Sequence, residues 1–487
     1  MVTDGKQFIL GISAFYHDSA AVILEGDTII AAAQEERFSR KKHDPSFPAG
    51  ALMWCFDHAG LSLDRIDMVV FYDKPLLKFE RLLETYYAFA PKGLRSFLSA
   101  MPVWIKEKML LKSLIKKELC GITGEQWPDD LKLLFPEHHL SHAASAFYPS
   151  PFMESAILTV DGVGEWATST IGHGEGDTIQ IQRQLDFPHS VGLLYSAFTY
   201  YTGFRVNSGE YKLMGLAPYG NPQSERTKGF IDIIRSTLTD IKDDGSLLLD
   251  MNYFDYATGL RMTKDDRWEE LFGVAPRKPE SEITQAYMDM AYAIQHVTED
   301  ILMRMARFTR DLTGSKRLCL AGGVALNCVS NGKLLRSGLF EDIWIQPAAG
   351  DAGGALGAAL AGRYIYSGAT RKDNGGRDAM QGALLGPSYC AADIEKTARK
   401  FDAPFRRFDD FGELCRVVAG HIERGSVVGW FQGKMEWGPR ALGNRSILGD
   451  ARSPEMQKRL NVKIKYRESF RPFAPSVLWE ETPEYFE

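Results

Sequence analysis

The sequence predicts an α/β protein with two sheet-forming halves and a separate C-terminal domain. Three observations lead to this. Short apolar runs that suit buried strands alternate with longer helical patterns. Strand-rich stretches begin near residue 8 and again near residue 155, each with a βββα-like order, which suggests a duplicated sheet unit. A Gly-, Asp-, Asn- and Pro-bearing segment at 367–388 then sets off 389–487, which has a pattern of its own.

The elements follow in order. Phe8 to Ser13 is an apolar strand, and Ala20 to Leu24 and Thr28 to Ala33 follow around the turn Glu25-Gly26-Asp27. Pro48 to Ala59 reads as a helix with Pro in its first turn and Gly60 beyond its end. Ile66 to Phe71 is a strand. Residues 76–118 form a helical insertion rich in Leu, aromatic and basic residues, with Lys106, Lys108, Lys112, Lys116 and Lys117 facing water. Lys132 to Phe135 is a strand, and a helix begins at His139. Ser155 to Val160 and Ala167 to Gly172 pair around Asp161-Gly162-Val163-Gly164, and Val191 to Tyr201 is helical. The span 221–280 reads as polar and irregular, with a strand-like piece at 246–250. A long helix covers 284–312, followed by strand Arg317 to Leu320, a helix from about 325, strand Ile343 to Ile345 and a small-residue helix through 362. The last segment has a helix near 411–424, strand Ser426 to Phe431, an Arg-rich loop and a helix near 454–462.

Composition narrows the class. The chain has 487 residues, 45% hydrophobic and 11% aromatic, which is too apolar for a disordered protein. A net charge of −6 disfavours a basic nucleic-acid binder. No apolar run of about 18 residues predicts a membrane span, and the start lacks the core of a signal peptide. The six cysteines form no CxxC pair and read as buried thiols in a reducing cytoplasm.

Four motifs carry chemistry. His138 and His142 lie four apart, so a helix presents both imidazoles on one face while His139 points elsewhere. Such a pair is a structural feature or half of a metal site, and the second reading needs oxygen donors. Asp161 and Asp351 are candidates, each at the end of a strand where α/β sheets bind ligands; each also suits a helix cap or turn. Two imidazoles and two carboxylates leave coordination positions open and suit iron, manganese or zinc better than magnesium. The strand-to-helix turn Gly322-Gly323 allows close approach of an anion or simply tight packing, and Asn327 beyond it could hydrogen-bond a nucleotide. Glu210 and Lys212 sit in a Gly-punctuated loop suited to ribose and phosphate, or to a surface salt bridge. Finally, Lys434, Arg440, Arg445 and Ser446 lie in a Gly/Pro loop after an apolar strand, an arrangement suited to phosphate or carboxylate.

In combination and order, the runs Gly11-Ile12-Ser13-Ala14-Phe15-Tyr16-His17-Asp18-Ser19, His138-His139-Leu140-Ser141-His142, Lys212 to Gly220, Gly322-Gly323 and Trp437 to Ser446 closely resemble the NodU/CmcH family of O-carbamoyltransferases. The resemblance implies a duplicated actin/sugar-kinase/Hsp70-like (ASKHA) domain over 1–380 and an incomplete YrdC-like α/β domain over 389–487. It implies an ATP-dependent enzyme that converts carbamoyl phosphate to carbamoyl-adenylate in the YrdC-like domain. The carbamoyl group then moves to a hydroxyl of a small-molecule or sugar acceptor in the first domain. It further implies metal ligands His138, His142, Asp161 and Asp351, with Fe(II) the expected ion and Mg accompanying ATP. Adenosine would be held by Gly322, Gly323 and Asn327, with Glu210 and Lys212 near the nucleotide. His17, beside Asp18, would orient or deprotonate the acceptor hydroxyl. Lys434, Arg440, Arg445 and Ser446 would bind phosphates in the second domain.

Family members usually continue about a hundred residues further, so the expectation is either a fragment or a domain completed by a separate C-terminal polypeptide. A homodimer is also compatible with the family. Neither nucleic acid nor membrane is expected as a partner, and the setting is cytoplasmic. The competing classes are a non-catalytic nucleotide- and metal-binding subunit and a sugar-kinase-like phosphotransferase. The latter would need neither the His138/His142 pair nor the Lys434 to Ser446 loop.

Overall fold

A computed structural model describes residues 7–104 and 110–486. The chain divides into two compact units, residues 1–387 with 437–440, and residues 388–436 with 441–487. The units part after Pro387. The short piece Trp437–Arg440, however, belongs to the first unit, which the sequence did not suggest.

The first unit is built on two five-stranded sheets. The first contains β1 (Phe8–Ser13), β2 (Ala20–Glu25), β3 (Thr28–Gln34), β4 (Met68–Phe71) and β5 (Lys132–Leu134), in the order β3-β2-β1-β4-β5. The chain continues through β6 (Glu154–Val160), β7 (Ala167–Glu175) and β8 (Thr178–Asp186). A small hairpin follows, β9 (Thr239–Ile241) with β10 (Leu247–Leu249), and then β11 (Arg317–Ala321) and β12 (Asp342–Ile345). The second sheet runs β12-β11-β6-β7-β8. The two orders are the same once each sheet is numbered from its own start. In each, an antiparallel three-strand meander is extended by two parallel strands through the first strand. The duplicated sheet unit expected from the sequence is thus present.

The reason for these strands is visible in their burial. In β1, all but Phe8 are fully buried, and β4 is buried throughout, as parallel strands covered on both faces require. Two helices lie between the sheets. Asp351–Ala361 packs on β1, β2 and β4, whereas His138–Phe147 packs on β6 and β11, and the two helices pack on each other. Small residues allow this closeness. A Cβ on Gly11 would lie 2.0 Å from the Ala355 carbonyl oxygen, and one on Gly357 would lie 1.7 Å from the Ser141 carbonyl oxygen.

Three details differ from the sequence reading. Strand β8 (ThrIleGlnIleGlnArgGlnLeuAsp) alternates with period two but is too polar to stand out as a buried strand. The span 221–280 contains helices Glu225–Ile233 and Asp265–Phe272 rather than irregular chain. The Ser224 hydroxyl caps the first by accepting from the Thr227 amide, and Phe230, Trp268 and Phe272 make a local aromatic core. All six cysteines are free, but only Cys55 and Cys319 are buried, while Cys328, Cys390 and Cys415 are exposed.

The insertion comprises helices Pro75–Phe89, Leu94–Trp104 and Leu111–Thr123. Leu111, Ile115 and Leu119 form the buried stripe of the last one, and Lys112 and Lys117 face water. Lys116 lies over the Trp127 ring, and Lys106 and Lys108 lie outside the described residues.

In the second unit, β13 (Val428–Phe431) pairs antiparallel with β14 (Arg445–Leu448), and helices Ala391–Lys400 and Phe411–Glu423 precede them. Its buried apolar side chains are few, Met456 and Leu460 among the described residues.

Candidate metal centre

The helix His138–Phe147 packs on β6 and β11 and on the helix that begins at Asp351. Its first amide donates to both Glu165 carboxylate oxygens, at 3.0 and 3.1 Å, so a buried acid supplies the cap that no side chain at Glu137 provides. Four residues on, His142 lies one turn below His138, and their rings meet edge to face. Asp161 follows the last residue of β6, and Asp351 opens its own helix after the Pro347–Gly350 loop.

These four side chains converge. The Nε2 atoms of His138 and His142 are 3.0 Å apart. Asp161 Oδ2 is 3.0 Å from the first and 3.5 Å from the second. Asp351 Oδ1 is 3.7 Å from each. Ligands held about 2.0–2.2 Å from one ion are spaced roughly 3.0–3.5 Å from each other, so this is the spacing of a coordination shell. The donor set also fits. Asp351 is buried and its Oδ2 has no hydrogen-bond partner among the described residues, a costly state for a carboxylate that a bound cation would relieve.

The field in the cluster follows from burial and these neighbours. Burial, then the His142 ring, hold His138 well below its ordinary pKa, so it stays neutral and able to ligate. Burial alone would raise Asp161, but hydrogen bonds from His138 and His142 outweigh it and keep that carboxylate well below its usual range. Asp351 is raised, chiefly by burial. His139 turns away to Thr159 Oγ1 at 2.7 Å, and burial lowers it to about 3.

His17 stands at the rim, in the loop between β1 and β2. Its Nδ1 is 2.9 Å from Asp18 Oδ2, and its Nε2 faces Asp351 Oδ2 at 3.6 Å. Burial would lower its pKa, but Asp351 and Asp18 raise it to about 9. Gly322 and Gly323 lie beside Asp161. The Gly323 amide donates to Asp161 Oδ1 at 2.9 Å. Gly322 has φ +91°, and a Cβ there would meet the Val160 carbonyl at 2.3 Å.

A family model described as Carbamoyltransferase N-terminus matches residues 8–360, and one described as Carbamoyltransferase C-terminus matches 419–487. The chain belongs to the carbamoyltransferase family. As a member it is a transferase, and the expected kinship with nodulation proteins holds. It is 37% identical over 98% of its length to nodulation protein NolNO of Sinorhizobium fredii, and covers 64% of that protein. It is 55% identical, again over 98% of its length, to the uncharacterized protein sll1178 of Synechocystis, of which it covers 77%. The chain thus spans about two thirds to three quarters of these relatives. Among solved structures, HypF of T. kodakarensis aligns with a TM-score of 0.36 at 13% identity, over 75% of this chain and 49% of that one.

The other residues predicted from the carbamoyltransferase sequence are placed as follows. Asn327 is nine-tenths buried; its amide pairs with that of Gln295 through two hydrogen bonds, and its oxygen caps the following helix through the Ser330 amide. Glu210 folds back on its own loop, accepting from Ser196 Oγ and the Asn207 and Gly209 amides. The Lys212 ammonium lies 5.7 Å from the Phe204 ring centre. Arg440 does not belong with the second-domain cations; it lies in the first unit, 6.0 Å from the Tyr211 ring centre. The reason is local. Trp437 is buried and its amide donates to the Ala383 carbonyl at 2.6 Å, which carries Gly438, Pro439 and Arg440 with it.

In the second unit, Lys434 and Arg445 flank a buried acid that the sequence reading missed. Glu436 accepts from the Leu442 and Asn444 amides at 2.7 and 2.9 Å and from Arg445 Nε at 3.3 Å. Ser446 Oγ accepts from the Gly443 amide. Glu436 organises the 441–446 turn, and its lone position in an Arg-rich run was the available signal.

Proposed function

We propose that the chain catalyses ATP-dependent O-carbamoyl transfer, from carbamoyl phosphate by way of carbamoyl-adenylate to a hydroxyl of a small-molecule or saccharide acceptor. The observation that supports it most is the four-ligand cluster with His17 Nε2 at its edge, in a chain whose residues 8–360 match the carbamoyltransferase N-terminus. The repeated strand order fits an ASKHA-type arrangement of the first unit. A YrdC-like second unit holding phosphates with Lys434, Arg445 and Ser446 is the matching reading for 388–487.

His138, His142, Asp161 and Asp351 would hold a first-row divalent ion, Fe(II) by the family resemblance. That ion would supply Lewis-acid stabilisation of charge on the carbamoyl oxygen and leaving phosphate. The Asp18 carboxylate accepts a hydrogen bond from Nδ1–H of His17, which keeps that proton on Nδ1 and leaves the Nε2 lone pair facing the cluster. His17 Nε2, which faces the cluster through Asp351 Oδ2 at 3.6 Å, is the group that would take the acceptor proton. As the acceptor oxygen bonds to the carbamoyl carbon, the bond to the adenylate phosphate breaks and AMP leaves. The Gly322-Gly323 turn lets a nucleotide approach the backbone beside Asp161.

The test supplies synthetic carbamoyl-adenylate and a panel of hydroxylated acceptors to the metal-loaded chain in a reducing, cytoplasm-like buffer. AMP release and carbamoylated product are followed by chromatography and mass spectrometry. Product is expected from the wild type and not from His138→Ala. Equal product from both defeats the reading.

A further inference from the structure

The sequence singled out His17 and Asp18 but said nothing about what holds them. Both lie in a loop with backbone in the left-handed region at Phe15 (φ 71°) and Asp18 (φ 53°). The facing loop does the same at Arg40 (φ 61°) and His43 (φ 56°). None of these is glycine, so neighbouring contacts must fix the conformation. Three backbone hydrogen bonds join the loops and the start of the next turn: Phe15 amide to Pro45 carbonyl, Ser19 amide to Asp44 carbonyl, and Glu35 amide to Ser19 carbonyl.

Side chains complete the brace. Asp18 Oδ2 accepts from His17 Nδ1 at 2.9 Å, and its other oxygen, Oδ1, accepts from His43 Nδ1 at 2.8 Å. The His43 amide donates to Glu36 Oε2 at 3.0 Å, and Arg37 Nη1 donates to Glu36 Oε1. Arg37 Nη2 reaches Gln34 Oε1 at 2.8 Å and the Gly438 carbonyl at 2.7 Å. Resting on the reading of His17 given above, we propose that His43, Glu36 and Arg37 are positioning residues that set the orientation and tautomer of His17 through Asp18, with the Gly438 carbonyl as their anchor.

A carboxylate bonded through one oxygen can swing about its terminal torsion, whereas one bonded through both is held in a plane. His43 therefore decides whether Asp18 keeps Nδ1 of His17 protonated and Nε2 open. The cluster of Asp18, Glu36 and His43 also has the spacing of a cation site. Each of its carboxylate oxygens, however, already accepts from an N–H donor, which makes it a hydrogen-bond chain.

The experiment uses the full chain labelled with 15N-histidine. The His17 Nδ1–H signal is identified, among ten histidines, by its loss in His17→Gln. It is expected to be downfield and slow to exchange in the wild type, lost in His43→Ala, and retained in His43→Asn, whose side-chain amide can donate from the Nδ1 position. Transfer from carbamoyl-adenylate should fall about 10–100-fold in kcat for His43→Ala, the range for removing a supporting partner, with KM changed less than about twofold. Combining His43→Ala with Asp18→Asn should cost no more than Asp18→Asn alone, because both act on one path. Arg37→Met should move the signal in the same direction. An unchanged signal and kcat in His43→Ala, or fully additive losses in the double variant, overturn the brace. Wild-type transfer by His17→Gln instead overturns the underlying reading of His17, while the resonance still judges the brace.

Discussion

Asp351 concentrates the cost of the site in one side chain. It is buried, its Oδ2 lacks a hydrogen-bond partner among the described residues, and its charge raises the pKa of His17. Asp351→Asn removes that charge and should lower metal uptake more than the roughly 10–100-fold lost with an outer partner. Elemental analysis of purified wild type and variant checks this, and equal metal content would place the ion elsewhere. His139 gives a pH signature from outside the four-residue cluster, with its ring edge-on to both His138 and His142. Its pKa is about 3 folded, against an ordinary 6.5 unfolded, so between these values the unfolded chain binds the extra proton. Stability is therefore complete above about pH 6.5 and declines as pH falls toward 3. Urea unfolding at pH 7 and pH 5 should show a smaller decline in His139→Gln, by about one proton in slope. At this scale the sequence pointed to His138, His142, Asp161 and Asp351, which the fold brings together, because the i, i+4 histidines and strand-end acids are local signals. His43, Glu165 and Glu436 were hidden because their partners are Asp18, His138 and Asn444, which only the fold brings near.

The two central helices decide how precisely the ligands meet. Gly357 lies directly under the Ser141 carbonyl, so the helix bearing Asp351 cannot bulge there without pushing against the one bearing His138 and His142. Gly357→Ala adds one methyl to a full contact and should cost about 1–3 kcal/mol. For a protein of this size that corresponds to a drop of about 1–4 °C in Tm, together with weaker metal binding. Calorimetry with and without added metal checks both, and an unchanged Tm would show that the helices have room to spare. The strands of the first meander were legible because each is a nearly continuous apolar run, as burial on both faces demands. Strand β8 and the helices at 225–233 and 265–272 were not. Their signals are a polar alternation, a serine cap and a few scattered aromatics, which compete poorly with surrounding polar chain.

At the scale of the molecule, the units differ in how much core they carry. The first contains nearly all of the fully buried apolar side chains. The second exposes Phe401, Phe405, Phe411 and Trp479 by more than half. Local opening follows buried contact density, so amide exchange should be faster across 388–436 and 441–486 than in the strands of the first unit. Trp437 should stand out as a protected amide within that fast stretch, because it donates to Ala383. Uniform exchange from 430 to 446 would contradict this. The same short piece bears on how the gene can be cut. Gly438 adopts φ +115° with no space for a Cβ, which would meet the Pro347 carbonyl at 2.7 Å, close to the loop that delivers Asp351. An expression product ending at 387 would thus lack a plug that its own interior was shaped around. The boundary that looks severable in the sequence is crossed by four residues from fifty positions downstream, and a soluble, metal-competent first unit should require that tetrapeptide grafted back.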